Sequence, residues 1–274
     1  MSKRSSYIHG TDPQEQRRLS LLNDRLNAAS LREIGILPGE RILDLGSGLG
    51  QLTRAMAAAS GESGRAVGID FSADQVEEAK RIARDANEER RVEFRVGDAS
   101  SPPLREEEWG TFDVAHARFL LEHVPAPQQV VSEMARAVHP GGRVVLADDD
   151  HEALRLWPEP AGVGAVWRAY IRTYDRLGND PHIGRRLVQL LADAGLQPRR
   201  IALLPFGACA GDPALPAYVA NLGDVFMGAR DAILATGGVT AAEFDDAQAA
   251  LRAWGERRDA AFWYSISWAE AVKP

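Results

Sequence analysis

The stretch that decides the fold is residues 42–50, Ile-Leu-Asp-Leu-Gly-Ser-Gly-Leu-Gly. The apolar residues before the first glycine suit a strand that is buried inside a parallel sheet. The three glycines let the backbone turn sharply and approach a ligand at a point where a side chain would collide. Residues 51–59 then read as a helix. The segment therefore predicts a strand, a glycine-rich turn and a helix, with Asp44 just ahead of the turn.

A second apolar stretch gives this turn a functional meaning. Residues 66–69 (Ala-Val-Gly-Ile) form the next predicted strand, and Asp70 follows them directly. In a Rossmann-like fold, an acid about 20 residues after the glycines binds the hydroxyls of a ribose. The spacing from Gly50 to Asp70 fits this rule, so the sequence predicts a nucleotide-type ligand.

The spacing of the glycines favours one class of nucleotide over another. Dinucleotide-binding proteins have the pattern G-x-G-x-x-G and hold a pyrophosphate at the helix N-terminus. Here the pattern is one residue tighter, and Asp44 precedes it. A carboxylate would repel a pyrophosphate but attract the α-ammonium group of a methionine moiety. This argues for S-adenosylmethionine (SAM) rather than NAD.

With these residues in place, the chain resembles the class I SAM-dependent methyltransferases over roughly residues 7–205. The resemblance is to the small-molecule branch that includes ubiquinone- and menaquinone-biosynthesis-like enzymes. Residues 44–50, Asp70, 97–99, 112–118 and 139–142 match the family motifs in the family's order. The resemblance implies that SAM is the cofactor and S-adenosylhomocysteine the product. The cofactor-binding residues that it implies are Tyr7, Asp44, Gly46, Ser47, Gly48, Gly50, Asp70, Phe71, Gln75, Gly97, Asp98, Ala99, Ala117 and Arg118.

The alternation of strands and helices up to residue 147 predicts an α/β fold with a doubly wound parallel sheet. The resemblance adds a Rossmann-like, seven-stranded form in which the last strand is antiparallel and lies between the fifth and sixth strands. Helical insertions are expected to cover the C-terminal edge of the sheet, where open α/β sheets bind ligands. The expected divisions are an N-terminal flap (1–36), the SAM-binding core (37–151), a first cap (152–183), continued core (184–210), a second cap (211–258) and the last core strand (259–274).

Composition excludes several other classes of protein. The formal charge of −7 argues against a nonspecific nucleic-acid surface, which needs a basic face. The single cysteine, Cys209, cannot form an intramolecular disulfide and fits a reducing compartment. No early apolar run resembles a signal peptide, and no stretch has the length and hydropathy of a membrane span. We therefore expect a cytoplasmic protein with no nucleic-acid or membrane partner.

Candidate catalytic residues lie at the predicted strand ends. His116 follows the fourth strand, and Asp148 and His151 follow the fifth. An O-methyl transfer usually needs a base, and these side chains could supply it. The run Asp148–His151 could instead be a solvated loop or a metal cluster. Because successive residues of an extended chain face opposite ways, at most two of the four converge, and we expect no metal.

Two further segments are candidates for closing the site. The resemblance implies that Tyr7 belongs to a flap over SAM, although a frayed terminus explains the same residues. The aromatic residues Trp157, Tyr170 and Tyr174 could line an apolar acceptor pocket, and ordinary packing between cap and core explains them equally well.

The sequence thus predicts a methyltransferase that acts on a small, partly apolar acceptor, with O-methylation slightly favoured over N- or C-methylation. A SAM-binding sensor or assembly protein without transfer activity is the main alternative. An NAD-dependent oxidoreductase is disfavoured by the tight glycine spacing. The acceptor and the oligomeric state stay undetermined at this point.

Overall fold

The computed structural model describes residues 26–176 and 178–274 of the chain. Its first helix, α1, covers residues 26–34. The other helices are α2 (Gln51–Ser60), α3 (Ala73–Asp85), α4 (Pro127–Ala137), α5 (Val163–Ile171), α6 (Leu187–Asp193), α7 (Leu215–Gly228), α8 (Arg230–Ala235) and α9 (Ala241–Gly255). The strands are β1 (Arg41–Leu45), β2 (Arg65–Asp70), β3 (Val92–Val96), β4 (Phe112–Arg118), β5 (Val138–Asp149), β6 (Arg155–Trp157), β7 (Gln197–Cys209) and β8 (Ala261–Val272).

The chain forms two compact units. We call the first the sheet unit, and it contains Asn27–Asp150, His182–Leu204 and Ile266–Pro274. The second, the helical unit, includes His151–Pro181 and Pro205–Ser265. The predicted roles of the flap and the two caps, as a cover over the cofactor and the sheet edge, remain predictions. Tyr7 lies outside the described residues.

The strand order confirms the predicted fold class. Strands pair in the order β3-β2-β1-β4-β5-β8, and β7 also pairs with β8. The pairs from β3 to β5 are parallel, whereas β8 runs antiparallel to β5. The last strand of the chain therefore pairs with both the fifth strand and β7, as the prediction of an antiparallel inserted strand required. The sheet is Rossmann-like and doubly wound, but in the described residues it has eight strands rather than the seven predicted, because β6 also pairs with β8.

Burial along the strands explains why the sequence patterns differ. The central strands β1 and β4 are buried over nearly their whole length, which accounts for their continuous apolar runs. The edge strand β3 begins with alternating buried and exposed residues, and its sequence alternates accordingly. One apolar cluster from β1, β2, β4, β5, α4 and α6 forms the core of the sheet unit.

Two local elements differ from the predictions. Residues 155–157 are expected in a helical insertion but form β6, which pairs with Ala261–Trp263 in the helical unit. The partner strand lies about a hundred residues further along the chain, so no local sequence pattern indicates the pairing. This long-range pairing determines the strand conformation in place of the expected helix. The sequence predicts a core helix from Gly184 to Ala194, whereas α6 begins at Leu187. A β-carbon at Gly184 would lie 2.8 Å from the carbonyl oxygen of Asp149, so this position is a close backbone approach.

The helical unit is built from α5, α7, α8 and α9, which pack against one another. Phe226, Ile233 and Phe244 are completely buried in it. Thr240 caps α9 through a capping box with Glu243, which explains where that helix begins. None of the described helices has both the length and the hydropathy needed to cross a membrane.

Candidate active site

The glycine-rich turn connects β1 to α2 and has the backbone conformation that its sequence predicted. Gly48 has a φ of +53° and Gly50 a φ of +73°, a region that side chains disfavour. A β-carbon at Gly50 would lie 2.3 Å from the ring of Phe94, so this glycine also allows α2 to pack on β3. A β-carbon at Gly48 would meet only the end of the Gln75 side chain, at 3.3 Å. Gly50 is therefore required for the packing of α2 on β3, whereas at Gly48 only the end of the Gln75 side chain lies near the backbone.

Asp70 ends β2 and holds the turn in place. One carboxylate oxygen accepts a hydrogen bond from the backbone N–H of Gly48 at 2.8 Å, and the other from the N–H of Ser72 at 2.9 Å. Ser72 in turn caps α3 by accepting from the N–H of Gln75. Phe71, next to the acid, is 67% exposed. The structure thus places four of the predicted cofactor residues, Gly48, Asp70, Phe71 and Gln75, around one turn.

Asp44 lies beneath that turn and is 4% exposed. It pairs in register with His116 of β4, so both side chains stand on the same face of the sheet. The Oδ1 atom of Asp44 lies 2.8 Å from Nδ1 of His116, and the Thr53 hydroxyl of α2 donates to Oδ2. His116 is 1% exposed, and among the described residues its Nε2 atom has no hydrogen-bond partner. Thr53 was not predicted from the sequence.

Arg118 ends β4 as a partly buried cation. Its guanidinium donates to the Ser30 hydroxyl at 2.9 Å and to the Asn27 side-chain oxygen at 2.6 Å, both on α1. Burial lowers the pKa of Arg118 to about 10, and the negative charge of Asp44 opposes that shift. The next residue, Phe119, has a φ of +54°, which is uncommon for a non-glycine residue and is concentrated at functional sites. No sequence pattern indicates this backbone conformation.

The remaining predicted cofactor residues lie on the ends or interiors of neighbouring strands. Gly97 follows β3, and its N–H donates to the carbonyl oxygen of Asp70. Asp98 is exposed, and its carboxylate accepts from the N–H and the hydroxyl of Ser100. Ala99 and Ala117 are buried, and Ala117 lies inside β4.

Asp148 lies in β5 and is completely buried. Its carboxylate accepts backbone N–H groups of Leu120, Leu121 and Asp149. Desolvation raises the pKa of Asp148 well above its ordinary value, and the nearby carboxylate of Glu122 raises it further. Glu122 and Asp149 each place a carboxylate oxygen within 4.8 Å of the other. In this structure, Asp148 anchors the chain that leaves β4.

His151 belongs to the helical unit, where it lies in an aromatic cluster. Its Nδ1 atom is 3.1 Å from the Tyr264 hydroxyl, and its Nε2 atom is 3.1 Å from the Tyr174 hydroxyl. The Tyr170 and Tyr174 hydroxyls are 3.2 Å apart. Trp167 donates from its indole nitrogen to the His151 carbonyl and stacks on Tyr170. We call His151, Trp167, Tyr170, Tyr174 and Tyr264 the tyrosine–histidine cluster.

The cluster groups some predicted residues and leaves others out. Tyr170 and Tyr174 are buried within it, together with the catalytic candidate His151. Trp157 lies in β6 and is 67% exposed. Trp167 and Tyr264 were not among the predicted site residues. Trp167 shares helical spacing with Tyr170, which is a readable signal, whereas Tyr264 comes from a distant strand and has none.

Comparison with known proteins identifies a family that matches part of this chain. The strand order and the glycine-rich turn are those of a Rossmann-like fold. Residues 36–169 match the family model described as a methyltransferase domain. This region contains all the predicted cofactor residues except Tyr7, and it belongs to that family.

Two curated relatives match about half of the chain. An uncharacterised 37.1 kDa protein of transposon Tn4556 from Streptomyces fradiae is 38% identical over 160 residues, which are 58% of this chain and 44% of that protein. A demethylmenaquinone methyltransferase from Lactococcus lactis is 33% identical over 137 residues, which are 50% of this chain and 53% of that protein. The chain thus spans about half the length of these relatives.

A solved structure of geranyl diphosphate methyltransferase in complex with SAM has a TM-score of 0.56 to this chain. It is 18% identical in sequence, and the alignment covers 96% of this chain and 92% of that one. At this identity the likeness establishes a common fold.

Proposed function

We propose that this protein binds SAM on its sheet unit and transfers the methyl group to a small, partly apolar acceptor. The observation that carries the proposal is the joint placement of Asp70 and the glycine-rich turn. The acid holds the N–H of Gly48 while standing beside the exposed ring of Phe71. A carboxylate has about four acceptor sites, so Asp70 can still bind two ribose hydroxyls, with Phe71 beside the adenine.

The polar atoms around the turn fit the amino-acid end of SAM. The Ser47 hydroxyl is buried and lacks a hydrogen-bond partner among the described residues. Buried polar atoms are normally paired, so this one fits a donor or acceptor on a ligand. Asp44 and Arg118 supply opposite charges on neighbouring strands, as the ammonium and carboxylate groups of a methionine moiety require. Their existing bonds leave further lone pairs on Asp44 and further N–H groups on Arg118.

When bound, SAM supplies a methyl group that its sulfonium already activates. The protein's part is then to align the acceptor with that methyl group and to exclude water. Asp70 and Phe71 would fix the adenosine, and Asp44, Ser47 and Arg118 the methionine end. His151 and its tyrosines form a buried cluster of hydroxyl groups and an imidazole among aromatic rings, and we propose that a hydroxyl-bearing acceptor binds beside this cluster. We therefore favour O-methylation.

A SAM-binding protein without transfer activity is the alternative that the same residues would allow. Formation of S-adenosylhomocysteine from SAM separates the two functions. We expect turnover with at least one member of a library of small phenols, alcohols, amines and quinols that includes demethylmenaquinone analogues. Asp70→Ala should abolish most of that turnover at limiting SAM, whereas Asp74→Ala, an exposed acid on α3, should not.

Binding of SAM with no product from any acceptor class would favour the sensor. Binding of NAD in place of SAM would contradict the proposal altogether.

A further inference from the structure

His116 is a buried imidazole that the proposed chemistry does not use directly. It lies two residues before the end of β4, in register with Asp44, and is 1% exposed. An acceptor molecule cannot reach a side chain in that position without opening the sheet unit. The group that His116 does reach is the Asp44 carboxylate, 2.8 Å away.

The hydrogen bonds around Asp44 define where the imidazole proton lies. An ionised carboxylate only accepts hydrogen bonds, so Nδ1 of His116 must carry the hydrogen that points to Oδ1. The other ring nitrogen, Nε2, is buried and has no partner among the described residues. A hydrogen on Nε2 would then be a buried donor without an acceptor, which is costly. The geometry therefore places the ring hydrogen on Nδ1.

The second oxygen of Asp44 is fixed from another element. Thr53 of α2 donates its hydroxyl to Oδ2, so the carboxylate is held between β4 and the helix that follows the glycine-rich turn. Two donors on two elements leave the plane of the carboxylate little freedom. The remaining lone pairs of Asp44 then have a fixed direction, as preorganised recognition of a charged group requires.

We propose that His116 is a positioning residue for the methionine end of SAM. Its Nδ1–H, together with the Thr53 hydroxyl, aims the Asp44 carboxylate at the α-ammonium group. This inference rests on the proposed function and removes His116 from the candidates for a catalytic base. It also predicts a selective effect on binding. His116 should affect recognition of the amino-acid end of the cofactor and leave recognition of the adenosine end unchanged.

Calorimetry with two ligands tests this claim. SAM carries the amino-acid group, whereas 5′-deoxy-5′-methylthioadenosine has the adenosine and the thioether without it. His116→Leu should weaken SAM by up to roughly 10- to 150-fold, the range for loss of a charge-assisted hydrogen bond, and change the affinity for methylthioadenosine less than about twofold. His116→Asn places an amide N–H near the original Nδ1 and should recover most of the SAM affinity. Thr53→Val should weaken SAM in the same selective way, and His139→Leu, at a half-exposed histidine of β5, should change neither affinity.

A second measurement keeps the proposal testable if His116→Leu does not fold. In ¹⁵N-labelled wild-type protein, the ring-nitrogen signals of His116, assigned with His116→Asn, should show the proton on Nδ1. A ring that carries its proton on Nε2 and none on Nδ1 would overturn the proposal. Equal weakening of both ligands by His116→Asn and Thr53→Val, or no weakening of either ligand by any folded variant at these two positions, would also overturn it. Wild-type protein that binds neither ligand would instead overturn the proposed function, and this inference with it.

Discussion

The sheet unit and the helical unit provide different kinds of hydrogen-bond partner for their polar side chains. In the sheet unit, Asp70 and Asp148 accept backbone N–H groups, and Asp44 accepts from side chains of adjoining elements. In the helical unit, His151 uses both ring nitrogens on tyrosine hydroxyls. The first arrangement fixes carboxylates at or near the ends of strands, whereas the second is an aromatic cluster built from hydroxyls and an imidazole. We propose that this difference reflects recognition of charged groups by the sheet unit and of apolar groups by the helical unit.

The largest effect is expected at the glycine-rich turn. Gly48→Val should abolish detectable SAM binding, because a branched side chain would stand where the backbone approaches the cofactor and would strain a φ of +53°. Gly61→Val is the matched control, since Gly61 has a φ of +78° and a β-carbon added there would meet nothing within 4 Å. Both variants strain the backbone, so thermal melting should show similar losses. Calorimetry should show SAM binding by the Gly61 variant and none by the Gly48 variant. Normal SAM binding by Gly48→Val would mean that the turn only connects β1 to α2 and does not bind the cofactor.

Substitutions in the tyrosine–histidine cluster should leave SAM binding unchanged and instead lower stability and impair the acceptor kinetics. Tyr170→Ala removes a buried ring and should cost about 3–5 kcal/mol of unfolding free energy, whereas exposed Trp157→Ala should cost less than about 1 kcal/mol. Tyr174→Phe removes only the hydroxyl that faces Nε2 of His151, at a cost of about 1–3 kcal/mol. In the folded fraction we expect a higher KM or lower kcat for the acceptor with SAM affinity unchanged. Unaltered acceptor kinetics in both the Tyr170 and the Tyr174 variants would make the cluster a scaffold.

Asp148 should make stability depend on pH. Its pKa is raised in the folded state, so its favourable contribution is complete below its ordinary pKa and is lost as pH rises through the folded value. Asp148→Asn does not titrate at this position. The unfolding free energy of the wild type relative to this variant should therefore fall as the pH rises from the ordinary aspartate pKa through the raised pKa of the folded state. Denaturant titrations at several pH values check this, and a constant difference would contradict the account.

The smallest expected effect is that of metal removal. The sulfonium of SAM makes its methyl group electrophilic, so the sheet unit needs no cation to activate it. Exhaustive EDTA treatment should leave SAM affinity and turnover unchanged within about twofold, the resolution of such assays. Loss of turnover that Mg²⁺ restores would turn the acids Glu122 and Asp149 into candidate ligands.

The sequence predicted the parts of the site that local patterns determine. The turn at Gly48 and the acid at Asp70 are fixed by spacing along the chain, and their predicted proximity is present in the structure. The pairing of Asp44 with His116 depends on strand register, which no local pattern reveals. The run from Asp148 to His151 reads as one segment in the sequence. In the structure Asp148 is buried in the sheet unit, whereas His151 belongs to the aromatic cluster.

The central claim is that the sheet unit binds SAM with Asp70 on the ribose, and calorimetry of Asp70→Ala tests it most directly. Losing a charge-assisted pair of hydrogen bonds costs about 1.5–3 kcal/mol, so the variant should bind SAM roughly 10- to 150-fold more weakly than the wild type. Its circular dichroism and melting should stay those of a folded protein, and Asp74→Ala should bind as the wild type does. Unchanged SAM affinity in a folded Asp70→Ala protein would contradict the account.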